Sequence, residues 1–176
     1  MKKILLISGS PREGNTEYIL SGIQNSLGDV SELILLRNLS YNHCRGCLAC
    51  YETGECVQCD DMKKIFNKLL KADLIVIGSP LYYGNVSGLM KSFIDRTIPA
   101  YEKGLLKDKK LISIMVGGGE IETTAKFHKE AIRGFVKYNK LKLLKVFNFQ
   151  GFGENDLKDD PSATKEISKI IKLIKL

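Results

Sequence analysis

Short apolar runs alternate along this chain with segments whose apolar residues recur every three or four positions. Lys3 to Ser8 is a run bounded by Gly9. After it, Ile19, Leu20, Ile23 and Leu27 mark one face of a helix that Asn15 or Thr16 is placed to cap. Val30 to Leu36 is a second, more polar run. Asp60 and Asp61 then read as caps for a helix carrying Met62, Ile65, Phe66, Leu69 and Leu70. Asp73 to Gly78, DLIVIG, is almost wholly apolar and β-branched, as a strand covered on both faces must be, and it is the expected centre of the sheet. Ser79 to Asn85 reads as a loop, followed by a helix with Val86, Met90, Phe93 and Ile94 on its inner face. Lys110 to Val116 is a further buried strand. The next helix carries Ala125, Ala131, Ile132, Phe135 and Val136, and Leu141 to Phe149 is the last strand. A terminal helix begins at Pro161 behind Asp160, with Ile167, Ile170, Ile171 and Ile174 at helical spacing. Five strands alternating with five helices predict an α/β fold: a three-layer α/β/α sandwich on a parallel sheet, spanning residues 1–176 as one domain. The polar second run suits a sheet edge.

Composition narrows the class without naming a function. At 44% hydrophobic and 27% charged, with no apolar run near the ~20 residues that span a bilayer, the chain reads as a soluble domain with no membrane partner. The start, MKKILLISGS, leads straight into a Gly-rich loop and reads as a first strand, not an export signal, so a cytoplasmic location is expected. The 27 basic against 20 acidic residues give +7, a sign that favours acidic partners; a lysine-rich surface for solubility reads equally from the same number. No basic block with interleaved aromatics points to nucleic acid.

All five cysteines lie between His43 and Asp61, in HCRGCLACYETGECVQCDD. An odd number of closely spaced thiols in a reducing compartment fits a ligand set better than a disulfide framework. Three thiols at x2 spacing, with a fourth after a longer gap, can reach the corners of a cubane. Two-by-two pairing with Cys59 would make a zinc site, although the gaps are shorter than those of zinc ribbons. An empty or disulfide-forming loop is the third reading. His43 reads as a solvated loop residue or a donor beside the thiols, and His128, among lysines, as a surface residue.

In open parallel sheets ligands bind beyond the carboxyl ends of the strands. After the first strand, SGSPREGNT lacks both the GxGxxG and the GxxxxGK patterns. It offers Ser8, Ser10, Asn15 and Thr16, free backbone N–H groups and a helix N-terminus, with Arg12 as a charged clamp: an anion site sized for one phosphate, or simply a capped turn. In SPLYYGN, the backbone from Leu81 to Asn85 can line the edge of a planar heterocycle with Tyr82 or Tyr83 against its face. Gly117 and Gly118 permit close approach to the same ligand.

SGSPREGNT, SPLYYGNVSGLMKSFIDR and the cysteine loop ending in DDM, in that order, resemble the NAD(P)H-dependent FMN reductase family, and the resemblance covers nearly the whole chain. It implies a flavodoxin-like fold with strand order 2-1-3-4-5. It also implies FMN, with phosphate at Ser8, Ser10, Arg12, Asn15 and Thr16 and ring against Pro80, Leu81, Tyr82, Tyr83, Gly84, Asn85, Gly117 and Gly118. No side chain need be catalytic, because the flavin carries the redox chemistry. Within that family, Cys44-x2-Cys47-x2-Cys50-x5-Cys56 resembles the motif of the iron-sulfur flavoproteins, implying a [4Fe–4S] cluster on those four and leaving Cys59 over. The resemblance thus implies an electron-transfer oxidoreductase fed by a ferredoxin-like donor through the cluster to FMN and on to a small-molecule acceptor, assembled as a homodimer or homotetramer. The alternatives are a cluster-free FMN or quinone reductase taking hydride from NAD(P)H, and a thiol-based redox sensor.

Overall fold

The computed structural model describes residues 2–176. Five strands, β1 (Ile4–Ser8), β2 (Ser31–Leu35), β3 (Leu74–Tyr82), β5 (Lys110–Gly117) and β6 (Lys142–Gln150), pair in parallel in the order β2-β1-β3-β5-β6. Counting parallel strands alone, that is the expected 2-1-3-4-5. A two-residue strand, β4 (Asn85–Val86), pairs antiparallel with the end of β3. Among the described residues no helix is long and apolar enough to cross a membrane.

The layers follow from strand alternation, which sends successive side chains to opposite faces. Leu5, Ile7, Ile75, Ile77, Leu111 and Met115 point to one face. There they meet α3 (Met62–Lys71) through Met62, Ile65 and Leu69, α4 (Gly88–Asp95) through Met90 and Phe93, and α6 (Ile121–Tyr138) through Ile132 and Phe135. Ile4, Leu6, Leu74, Val76, Ile112 and Ile114 point to the other. That side is closed by α1 (Asn15–Leu27) with Ile19, Leu20 and Ile23, and by α7 (Pro161–Lys175) with Ile167, Ile170 and Ile174. Each such side chain contributes about 1.5–3 kcal/mol on burial, so the two apolar layers dominate stability. β2 is only partly buried, as an edge should be. The opposite edge, β6, carries a register shift where Leu111 faces Leu143 and Ile112 faces Lys145, an irregularity that blunts an exposed edge.

Four local expectations are corrected. Ser79 to Asn85 is not one loop: β3 continues to Tyr82, and Tyr83 (φ 49°) and Gly84 (φ 73°) make a two-residue turn into β4. Positive φ at both central positions is what a tight hairpin of this hand demands, and Gly84 meets it without a side-chain penalty. Two short helices add to the expected five, α2 (Ala49–Thr53) inside the cysteine loop and α5 (Ile98–Glu102) after α4. The caps also differ. Asp160 accepts from Ser162 N–H as expected, and Asp60 accepts from Met62 N–H (3.1 Å). Asp61 instead turns to Ser40 N–H and Lys64, while the residue preceding α1 is Gly14, with no side-chain cap.

The fourth correction is His128, which is fully buried on the inner face of α6. Its Nδ1–H donates to Asn148 Oδ1 on β6 (2.8 Å), so its Nε2 accepts from the Ser113 hydroxyl on β5 (2.6 Å). Lys126 and Lys129, its neighbours in sequence, lie on other faces of the helix; Thr124 and Ile132, four residues either side, are buried with it. Burial drives its pKa from 6.5 down to about 4, with the Asn148 bond opposing only part of the shift. The unfolded chain therefore binds a proton that the folded chain refuses. Stability should be full above pH 6.5 and decline as pH falls from 6.5 to about 4. The loss is on the order of 3 kcal/mol. Urea denaturation across that window should show the decline in the native protein and a flattened profile in His128→Gln; equal slopes would contradict the assignment.

Candidate functional site

The carboxyl ends of β1, β3, β5 and β6 surround a cavity of about 580 Å³, within the range of sites that enclose a cofactor. Its floor is built by backbone continuity. Gly9 N–H donates to Gly78 O (2.8 Å), extending the β1–β3 pairing, and Met90 occupies the space a Gly9 side chain would need. Ser87, the N-cap of α4, accepts from Met90 N–H, donates to Gly9 O and receives its own backbone support from Ser79 Oγ. That serine therefore locks the start of α4 to the ends of β1 and β3.

Of the thirteen residues expected at this site, nine share the cavity: Ser10, Arg12, Asn15, Thr16, Pro80, Leu81, Tyr82, Gly117 and Gly118. Ser8 lies beneath them, fully buried, with its hydroxyl accepting from Ser10 N–H (3.4 Å). Tyr83, Gly84 and Asn85 fall outside the lining because they form the hairpin tip. There Tyr83 is wholly exposed, Gly84 packs on the Phe127 ring, and Asn85 Oδ1 accepts from Val86 N–H. Asn15 has a different role from a free ligand: its amide donates to Gly153 O (2.8 Å) and accepts from Leu157 N–H (3.1 Å), tying the β1–α1 loop to the loop after β6. Arg12 pairs with Glu154 at 3.1 Å, both half exposed. Gly14, Val116 and Gly119 also line it outside the expected set, and Gly151, Phe152 and Gly153 complete the lining, likewise outside that set. A signal for them exists, since GFGEN follows the last strand and the rule about carboxyl ends applies to it equally.

α1 enters the cavity behind Gly14 without a side-chain cap, leaving first-turn N–H groups for an anion. Together with the volume and the three-sided cradle of backbone, this fits a phosphate-bearing planar cofactor such as FMN.

A second site lies on the loop after β2. Cys44, Cys47, Cys50 and Cys56 line one depression of about 30 Å³, walled by apolar Ile98 and Pro99, whereas Cys59 opens into an adjoining cavity with Met62, Phe66 and Leu105. All five thiols are unpaired. Burial raises the Cys50 pKa, and the nearby Cys56, Cys44 and Cys47 push it the same way. Among the described residues no three Cys, His, Asp or Glu side chains stand close enough to hold a metal ion. The donor chemistry nonetheless fits an iron-sulfur cluster, whose iron takes four thiolates. Reversals at Gly46, Leu48 and Gly54, all at positive φ, fold the loop back on itself. His43 is exposed, as a solvated loop residue would be, while its Nδ1 lies 2.5 Å from the Ser92 hydroxyl on α4.

The loop is closed by a buried ion pair. Arg96, at the end of α4, gives two hydrogen bonds to Asp60, at 2.7 and 2.9 Å, and one to Asn42 O at 2.7 Å. Burial raises the Asp60 pKa, but the guanidinium and the N–H groups of Asn42 and Met62 outweigh it and hold the carboxyl below its usual range. α4 thus starts at Ser87, bonded to Gly9 O just past β1, and ends about 12 Å along its axis beside the thiol depression that Asp95 and Arg96 line.

The family of NADPH-dependent FMN reductases matches residues 2–131, and the chain belongs to it. The family is one of flavin-dependent oxidoreductases. An iron-sulfur flavoprotein of Methanocaldococcus jannaschii is 37% identical over 134 residues, 72% of this chain and 69% of that one. Another, from Archaeoglobus fulgidus, is 44% identical over 98 residues, 54% of this chain, and the match spans about half (48%) of its length. In fold, the flavodoxin, WrbA-like protein from Agrobacterium tumefaciens superposes with TM-score 0.68 at 13% identity, covering 99% of this chain and 98% of that one. The fold is flavodoxin-like.

Two glycines of the cavity predict opposite outcomes. A methyl at Gly117 would stand 2.9 Å from Thr124 Oγ1 and 3.3 Å from Leu81, with Thr124 buried and unable to yield. At Gly118 it would meet only the exposed Phe152 ring, which can swing away. Gly117→Ala should cost about 1–3 kcal/mol in urea denaturation and Gly118→Ala less than about 0.5 kcal/mol; equal costs would contradict this geometry.

Proposed function

We propose that this chain is an FMN-dependent electron-transfer oxidoreductase that also carries a [4Fe–4S] cluster on Cys44, Cys47, Cys50 and Cys56. The observation behind this reading is the common depression lined by those four thiols, joined through α4 to a cavity suited to FMN. Bound FMN supplies chemistry in one- or two-electron steps, and a cluster supplies single electrons.

The residues of the chain act by position. The first-turn amides of α1 and the Ser10 and Thr16 segment hold the phosphate, with Arg12, paired with Glu154, as a counter-charge at the rim. The backbone of Pro80 to Tyr82 and of Gly117 and Gly118 lies along the ring, where glycine lets the main chain come close. Leu81, Val116 and Phe152 exclude water from it. No acid, base or nucleophile is required of the protein. Ile98 and Pro99 wall one side of the thiol site, where Cys44, Cys50 and Cys56 are partly buried and Cys47 is exposed.

A ferredoxin-like donor is the electron source in this reading, and the net charge of +7 suits an acidic docking partner. The acceptor is a small molecule, the location cytoplasmic and the assembly a homodimer or homotetramer. The principal competitor takes hydride from NAD(P)H on the flavin with no cluster. Anaerobic stopped-flow reduction distinguishes them: faster flavin reduction by reduced ferredoxin than by NADPH supports the proposal, and the reverse supports the competitor. Cys47→Ser should abolish iron binding and leave FMN bound. Equal loss of flavin would contradict two separable sites.

A further inference from the structure

Arg96 has more bonding capacity than its ion pair uses. Its side chain is 1% exposed, and the Nη groups are committed to Asp60 and Asn42 O. Its Nε–H, equally buried, has no hydrogen-bond partner. An unsatisfied donor of this kind normally costs about 1–3 kcal/mol, and a donor so placed calls for an acceptor. Arg96 lines the same depression as Cys44, Cys47, Cys50 and Cys56. Of those four, Cys56 alone also lines with Arg96 the adjoining cavity.

Its two partners matter as much as its free donor. Asn42 precedes His43 and Asp60 follows Cys59, so one guanidinium grips the cysteine loop at both of its ends. Arg96 is itself held by its backbone N–H at the end of α4, bonded to Ser92 O and Phe93 O, and α4 is anchored at the cavity by Ser87. We infer that Arg96 is a positioning residue of the thiol site, clasping the loop through Asn42 and Asp60 and reserving its Nε–H for the sulfur of Cys56 when that cysteine is a thiolate ligand. This rests on the cluster reading for its electronic half and on the ion-pair geometry alone for its clasp. A hydrogen bond to a ligand sulfur stabilises the more negative, reduced state and so raises the reduction potential. Lysine keeps the charge and can reach Asp60, but it has neither the fork nor the Nε–H.

Arg96→Lys is therefore the test, made on anaerobically purified protein with FMN content, iron content and the potential of the iron centre measured together. The expected result is FMN retained, with either a more negative iron potential or iron lost. Full iron at an unchanged potential would overturn the inference. Should the native protein itself bind no iron, the cluster reading fails separately, and amide hydrogen exchange over residues 43–59 of the metal-free protein decides the clasp. Exchange about tenfold faster in Arg96→Lys supports it, and unchanged exchange overturns it. If Arg96→Lys loses FMN as well and does not fold, Asp60→Glu, which keeps the pair but displaces the guanidinium, is measured in the same way. A shift in potential or faster exchange then supports the inference, and neither overturns it.

Discussion

Parallel pairing of β1, β3 and β5 is the constraint on which everything else rests. Strands that all run the same way bring all their carboxyl ends to one edge and need helices on both faces to make the returns. Gly9, Gly117 and Gly151 therefore gather where β1, β5 and β6 end, and the backbone hydrogen bonds of Gly9 to Gly78 within β3 and of Gly151 to Gly117 carry the sheet right up to the cavity. The cavity is a by-product of topology, furnished by whatever the loops supply. In this chain they supply glycines, hydroxyls and an uncapped helix.

The cysteine loop follows from the same topology by a less direct route. It leaves the edge strand β2 and would be free on the surface were it not gripped by Arg96. Charges this deeply buried are unstable alone, and removing one partner of such a pair costs about 3–5 kcal/mol. The pair therefore acts as a fixed joint, and α4 as the rigid bar between joint and cavity. His43 bonding to Ser92, midway along α4, and Tyr41 donating to Leu89 O add two further ties along the bar.

The sheet is legible in the sequence because DLIVIG and KLISIMV are buried on both faces and so are apolar throughout, and because the helices between them repeat cleanly. What stays hidden is set by distance. Nothing adjacent to Asp60 announces a partner 36 residues away, so it reads as a helix cap. α2 and α5 are five residues each, too short for periodicity to register. The lysines beside His128 suggest a surface position, whereas its spacing from Thr124 and Ile132 sets it on the inner face. The loop after β6 shows its glycines openly, but three other loops already suffice to explain a ligand. Asn15 is visible as a polar residue near a helix start, yet the two loops it joins are more than a hundred residues apart in sequence.

One chain holding both a flavin and a four-thiolate iron-sulfur centre is the central claim. The most direct measurement is an assay of flavin, iron and acid-labile sulfide per chain on protein purified without oxygen. The account predicts about one FMN with about four iron and four sulfide. Flavin at that level with neither iron nor sulfide would contradict it.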